Sequence, residues 1–215
     1  MSTRACYRFI SPEGPDSWAG VVTVYKHSDG YPEGAARWIE AALEYAWPLP
    51  RFENDDFAAA FVAANKSQIT YYEREARRLQ ALDGDHEDQV RHCWEQAEEY
   101  RSGRYKDFSG GGVRLVPFEG MNAHARFASD TNYLYDITVK PVKEGVSIKA
   151  GNYSGEKVKL VVTAYTTIER DGKWWVKKFF EGSTKRLAKA KDPELDYDYN
   201  NPEAKLGPPN FVLDT

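Results

Sequence analysis

The sequence has few cysteines and no long apolar segment. Cys6 and Cys93 are its only cysteines, and they lie far apart in the chain, so we expect two reduced thiols and no disulfide framework. No apolar run approaches the roughly 18 residues that a membrane span requires. Residues 1–4 do not lead into the apolar stretch of a signal peptide. These absences predict a cytoplasmic protein with no membrane partner.

The common catalytic motifs are missing as well. Gly110-Gly111-Gly112 is followed by a strand-like Val-Arg-Leu-Val segment, and not by the Lys-Ser or Lys-Thr that opens the helix of a phosphate-binding loop. Asp83-Gly84-Asp85-His86 lacks the further ligands of a calcium loop and is typical of a polar turn. No nucleophile elbow, Cys-x-x-Cys pair or His-Glu-x-x-His helix occurs. We therefore predict no cofactor and no resident metal.

What the chain does contain is a regular pattern of strands and helices. Residues 4–10 and 19–27 read as two strands, and apolar residues then recur at helical spacing over residues 33–47. Two thin apolar stripes within residues 65–103 indicate an inserted antiparallel helical hairpin, and the remainder is rich in strands. We predict an α+β fold in which residues 1–191 form one domain, with a mainly antiparallel sheet and helices on one side.

The net charge of -4 is unevenly distributed. Residues 140–191, a predicted basic β-hairpin region, carry 13 basic and 5 acidic residues, whereas residues 192–215, a predicted acidic extended tail, carry 1 and 6. Such a basic segment either binds a polyanion, contacts the tail or is solvated as an exposed sheet face.

Basic and aromatic side chains interleave in this basic region, as they do in platforms that bind single-stranded nucleic acid. Alternation along the last predicted strand places Trp175, Lys177 and Phe179 on its outer face. Residues 157–191 are therefore a candidate nucleic-acid surface. Its candidate binding residues are Lys157, Lys159, Trp175, Lys177 and Lys178.

The loop between the second strand and the first helix, residues 27–34, concentrates unusual residues. Asp29-Gly30 supplies a backbone step with positive φ, and Pro32 pre-sets φ for the first helical turn. The loop presents four candidate binding residues together at a helix N-terminus: His27, Asp29, Tyr31 and Glu33. Of these, His27, Asp29 and Glu33 have the residue types for general base catalysis or divalent metal ligation. The alternative for each is purely structural: Asp29 shapes the turn, Glu33 caps the helix and His27 forms a hydrogen bond with a backbone carbonyl.

At this loop the chain resembles a group of small bacteriophage- and prophage-encoded proteins without a settled activity. Their shared pattern is approximately a strand followed by Tyr-x-His-Trp-Asp-Gly-Tyr-Pro-Glu-Gly, and Ser28 stands here where the group usually has Trp. The segment from Asp130 to Tyr135 is similar to a second stretch of that group. The resemblance implies a phage origin and, by association, a role in host takeover or in blocking antiviral defence.

Three functional hypotheses follow. The first is a non-enzymatic phage-type binding protein that inhibits or redirects a host protein or protein–nucleic-acid complex, for instance as an anti-CRISPR or other anti-defence factor. The second is a small metal-assisted hydrolase or nuclease that uses His27, Asp29 and Glu33. The third is a protein that binds a nucleotide signal or another small molecule at the helix N-terminus.

Overall fold

A mixed sheet of seven strands is the centre of the part of the chain that the computed structural model describes, residues 3–18, 20–82, 84–107, 112–116, 131–149, 151, 157–170, 173–193 and 211–214. The strands are β1 (Ala5–Ile10), β2 (Val21–Lys26), β3 (Val113–Leu115), β4 (Tyr133–Pro141), β5 (Val158–Arg170), β6 (Lys173–Gly182) and β7 (Phe211–Asp214). They lie in the order β3-β2-β1-β4-β5-β6-β7, and only β1 and β4 are parallel.

The described helices are α1 (Pro32–Ala42), α2 (Asn54–Lys66), α3 (Gln68–Gln80), α4 (Glu87–Arg101) and α5 (Thr184–Leu187), with a short 3₁₀ turn at Leu49–Arg51. Helices α1, α2 and α5 pack on one face of the sheet, where Tyr7, Phe9 and Tyr135 contribute to the main hydrophobic core. Side chains alternate along a strand, so Cys6 and Leu134 belong to a smaller cluster on the opposite face. The predicted α+β fold with helices on one side is confirmed.

The predicted helical hairpin is present as α3 and α4, which we call the arm. The arm has a small core of its own, built around Ala76, Leu79 and Cys93. Its two ends are tied together by one carboxylate, because Asp107 accepts hydrogen bonds from the Ser67 hydroxyl and from the Ile69 backbone N–H, both at 2.9 Å. None of the described helices is both long and apolar enough to cross a bilayer.

Several element boundaries differ from the prediction. Helix α1 ends at Ala42, where the backbone changes to tighter i to i−3 hydrogen bonds, although the apolar spacing continues to residue 47. Strand β7 lies within the predicted tail of residues 192–215 and pairs with β6. Five sequence features lie outside the described residues: Asp83, Gly110-Gly111, Asp130, Asp171-Gly172 and residues 194–210.

Candidate functional site

The loop from β2 to α1 is held by close backbone contacts. Gly30 donates its N–H to the Thr3 carbonyl at 2.9 Å, and its own carbonyl accepts a hydrogen bond from the Tyr135 hydroxyl at 2.7 Å. Asp29 has a φ of 56°, in the left-handed region predicted for this step. A Cβ on Gly34 would lie 2.4 Å from the Asp29 carbonyl oxygen. These contacts constrain the backbone of the loop and thereby fix the position of Asp29.

A pocket of about 250 Å³ opens between this loop and the junction of α2 and α3, at the base of the arm. The β2–α1 side contributes one wall and the helices contribute the other. The lining residues are Lys26, His27, Ser28, Asp29, Trp38, Asn65, Gln68, Tyr71 and Gly112. Two of the four loop residues predicted as binding residues, His27 and Asp29, thus face a shared cavity.

Lys26 is the most unusual residue of the pocket, because its side chain is a buried cation. It is 5% exposed, and its Nζ lies 4.6 Å from the centroid of the Trp38 ring, within cation–π range. Among the described residues Nζ has no hydrogen-bond acceptor, and no carboxylate lies within 4.0 Å of it. Burial lowers the pKa of Lys26 from 10.5 to about 8, with Asp29 acting in the opposite direction and Arg37 adding to the lowering.

The nearby carboxylates are paired with arginines instead. Arg37 lies between two of them, with Nη2 at 3.7 Å from Asp29 Oδ2 and Nη1 at 3.1 Å from Glu75 Oε2. Arg78 contacts both oxygens of Glu75, at 2.9 Å and 2.5 Å. These hydrogen bonds, that of Arg78 above all, lower the pKa of Glu75. Asp29 and Glu75 therefore form their ion pairs with arginines, and neither carboxylate forms one with Lys26.

Aromatic and amide side chains complete the walls. The rings of Trp38 and Tyr71 are nearly parallel, with an angle of 16° and centroids 6.4 Å apart. Asn65 donates its amide to the Phe61 carbonyl at 2.8 Å. Its Oδ1 is buried and accepts no hydrogen bond from the described residues. The pocket thus combines two aromatic rings, a feature common in small-molecule sites, with a cation and two amides that can bind polar groups of a ligand.

The structure separates the residues of the predicted catalytic group. His27 is exposed at the rim, and its Nδ1 lies 3.2 Å from the Tyr25 hydroxyl. Tyr31 is half-buried and occupies the N-cap position of α1 without a side-chain capping hydrogen bond, whereas Glu33 is exposed and is not part of the pocket lining. Within the described ranges no three His, Cys, Asp or Glu residues are close enough together to hold a metal ion. The pocket therefore unites His27 with Asp29 and leaves Glu33 outside.

The basic candidate surface is divided between the two faces of the sheet. Thr166 lies opposite Tyr133 and Lys177, which places Lys177 and, two residues away, Trp175 on the face that bears the helices. The remaining three lysines do not join them: Lys159 pairs with Lys140 on the opposite face, Lys178 is opposite Tyr165 on that same face, and Lys157 precedes β5.

The structure places Phe179 on the inner face of the sheet. Phe179 alternates with Trp175 and Lys177 on the face that bears the helices, and its ring lies 6.0 Å from that of Tyr133. The expected outward position of Phe179 is therefore wrong, because the alternation of β6 has the opposite phase to the one predicted. The register of β5 with β6 then shifts between Ala164 and Tyr165, and this bulge brings Phe180 to the main core beside Phe179.

The sequence reading overlooked the pocket residues contributed by other elements. Trp38 looked like a core residue of α1, and Gln68 and Tyr71 looked like part of the arm. Lys26 carried a usable signal, since it follows Val22 and Val24 at core-facing positions of β2. A lysine in such a position is seldom fully buried without a partner, and it marks a candidate site.

Comparisons with known proteins identify no relatives. No protein family matches the sequence, and neither a curated protein nor a solved structure matches it. The resemblance of residues 27–34 to phage-encoded proteins therefore stays a prediction. The pocket is therefore the basis for the function proposed below.

Proposed function

We propose that this protein binds a small anionic ligand in the pocket between the β2–α1 loop and the arm. The observation that carries the proposal is the buried ammonium group of Lys26, which has no anionic partner among the described residues. Burying a charge without a partner is costly. An anionic group of a ligand would supply that partner and offset the cost.

The shape of the pocket supports a compact ligand with an apolar or planar part. About 250 Å³ accommodates a molecule of the size of an organic acid or a small nucleotide fragment. Trp38 and Tyr71 offer ring surface, while Asn65 and Gln68 offer hydrogen-bonding groups. This arrangement favours the small-molecule hypothesis over the hydrolase hypothesis, which required Glu33 beside His27 and Asp29.

The test is a ligand screen with Lys26 as the reporter. Small molecules released from the purified, denatured protein are identified by mass spectrometry. A panel of nucleoside monophosphates, oxo acids and hydroxy acids is then compared by thermal shift on the wild type, K26M and K143M. Lys143 is an exposed lysine that belongs to no candidate site and serves as the matched control. We expect stabilisation by at least one anion in the wild type and K143M but not in K26M, and a panel without Lys26-dependent shifts refutes the proposal.

The second candidate function is the binding of a host protein, which the phage resemblance suggested and for which the arm offers a surface. Helix α4 packs chiefly against α3, so its other side, with Trp94 36% exposed, is available for contact. The partner would be a host protein or protein–nucleic-acid complex. Affinity capture from host lysate with W94A and with the distant W18A tests this role. Loss of a specific partner only in W94A is expected, and an unchanged set of partners contradicts it.

A further inference from the structure

We propose that Lys26 forms a reversible imine with the carbonyl group of a small oxo acid bound in the pocket. The inference rests on the proposed function, because the acid group of the ligand is the anion attracted to Lys26. It adds a covalent step to that binding. The substrate class is thereby narrowed to acids that carry an aldehyde or ketone beside the carboxylate.

Lys26 differs in its surroundings from the other lysines whose side-chain exposure the structure describes. Among these it alone is buried, and it lies at a pocket that admits a ligand from solvent. Lysines that act as nucleophiles are characteristically desolvated or placed near another cation. Lys26 meets both conditions, because it is buried and Arg37 is a nearby cation. With a pKa of about 8, about one-tenth of Lys26 is the neutral amine at pH 7, roughly 300-fold more than at the ordinary lysine pKa of 10.5.

The chemistry balances without a cofactor or an oxidant. The neutral Nζ attacks the carbonyl carbon, and a proton moves from nitrogen to oxygen to give a carbinolamine. The hydroxyl then leaves as water after taking up a proton, and nitrogen forms a double bond to carbon. His27 lines the same pocket, and its imidazole is the group placed to supply that proton.

The imine preserves the positive charge of the pocket. Its protonated form carries that charge at Nζ, so the ligand carboxylate retains a cationic neighbour. The aromatic wall of Trp38 and Tyr71 shields the bond from water. Because the Nζ–Trp38 distance is 4.6 Å, the imine cation remains within cation–π range of that ring.

Reductive trapping tests the inference on the unmodified protein. The wild type is incubated with glyoxylate or pyruvate and cyanoborohydride near neutral pH, and then analysed by intact mass and peptide mapping. Lactate is the matched control, because it has the carboxylate of pyruvate but no carbonyl carbon. We expect one adduct, with the mass of the oxo acid less one oxygen atom. It should map to Lys26 with about tenfold or greater occupancy over any exposed lysine, and K143M should retain it.

The outcomes separate the two proposals. Labelling that is absent, or spread over exposed lysines without preference for Lys26, overturns the imine. If lactate and pyruvate then still stabilise the wild type but not K26M, the anion-binding function stands alone. If no anion of the screening panel shows such a Lys26-dependent shift, the binding function fails independently. Peptide mapping of the wild type decides the imine even if K26M folds poorly.

Discussion

Replacing Lys26 by methionine should stabilise the protein at neutral pH, contrary to the usual effect of changing a buried residue. Methionine retains an unbranched side chain against the Trp38 ring but removes the charge. The difference between the ordinary lysine pKa of 10.5 and the value of about 8 in the folded chain corresponds to roughly 3 kcal/mol. That free energy is the cost of keeping the ammonium buried, and K26M does not incur it.

The sign of the pH dependence follows from proton counting. Below about pH 8 the lysine is charged in both the folded and unfolded chain, so the wild type bears the full cost. Between about 8 and 10.5 the unfolded chain binds more protons than the folded one, and wild-type stability therefore rises with pH. The advantage of K26M should accordingly be greatest near pH 7 and vanish as pH approaches 10.5.

Urea unfolding of the wild type, K26M and K143M across this range measures the effect. Using the difference between wild type and variant removes the titration of distant groups, and K143M controls for the loss of one exposed lysine. Asp29 and Arg37 are the charged neighbours that influence the titration of Lys26. An advantage of K26M that is constant over the range, or a loss of stability that does not change with pH, refutes the reasoning.

Three further predictions concern the scaffold. G34A should destabilise the protein by about 2 kcal/mol or more, since its Cβ would lie 2.4 Å from a backbone oxygen, whereas G103A meets open space and should cost only about 1 kcal/mol in thermal or urea unfolding. R8M should lower the free energy of unfolding by about 3 kcal/mol, because the partly buried Asp136 loses its hydrogen bonds of 2.6 Å and 2.7 Å to Arg8. The double variant R8M/D136L should recover much of this loss, and a loss that is not recovered contradicts the explanation. D107A should remove two hydrogen bonds from the base of the arm and accelerate amide hydrogen exchange in the first turn of α3, and unchanged exchange there would show that the clamp is dispensable.

The elements were predictable where local periodicity dominates. Alternation in β4 and β5 predicts the strands, and the two thin stripes predict the arm, because each pattern reflects burial on one side only. The β2–α1 loop was also predictable, since positive φ at Asp29 and proline at the helix start are local constraints. These features depend on residues adjacent in the chain.

The pocket was not predictable because its walls come from distant segments. Lys26 and Trp38 meet only when α1 packs on the sheet, and Tyr71 joins them only because α3 starts directly after α2. Phe179 and Phe180 both pack against the main core only because β6 carries a bulge that no local pattern indicates. Glu33, by contrast, is close to His27 in sequence but stands outside the pocket, so proximity along the loop was a misleading guide.

The hydrogen bonds of Asp107 hold the two ends of the arm next to each other. A short glycine linker could therefore join Ser67 to Asp107 in place of the arm without stretching the chain. Because Gln68 and Tyr71 belong to the same removable unit, such a deletion would also remove part of the pocket wall. Changes within the arm would therefore alter ligand preference while leaving the sheet and Lys26 unchanged.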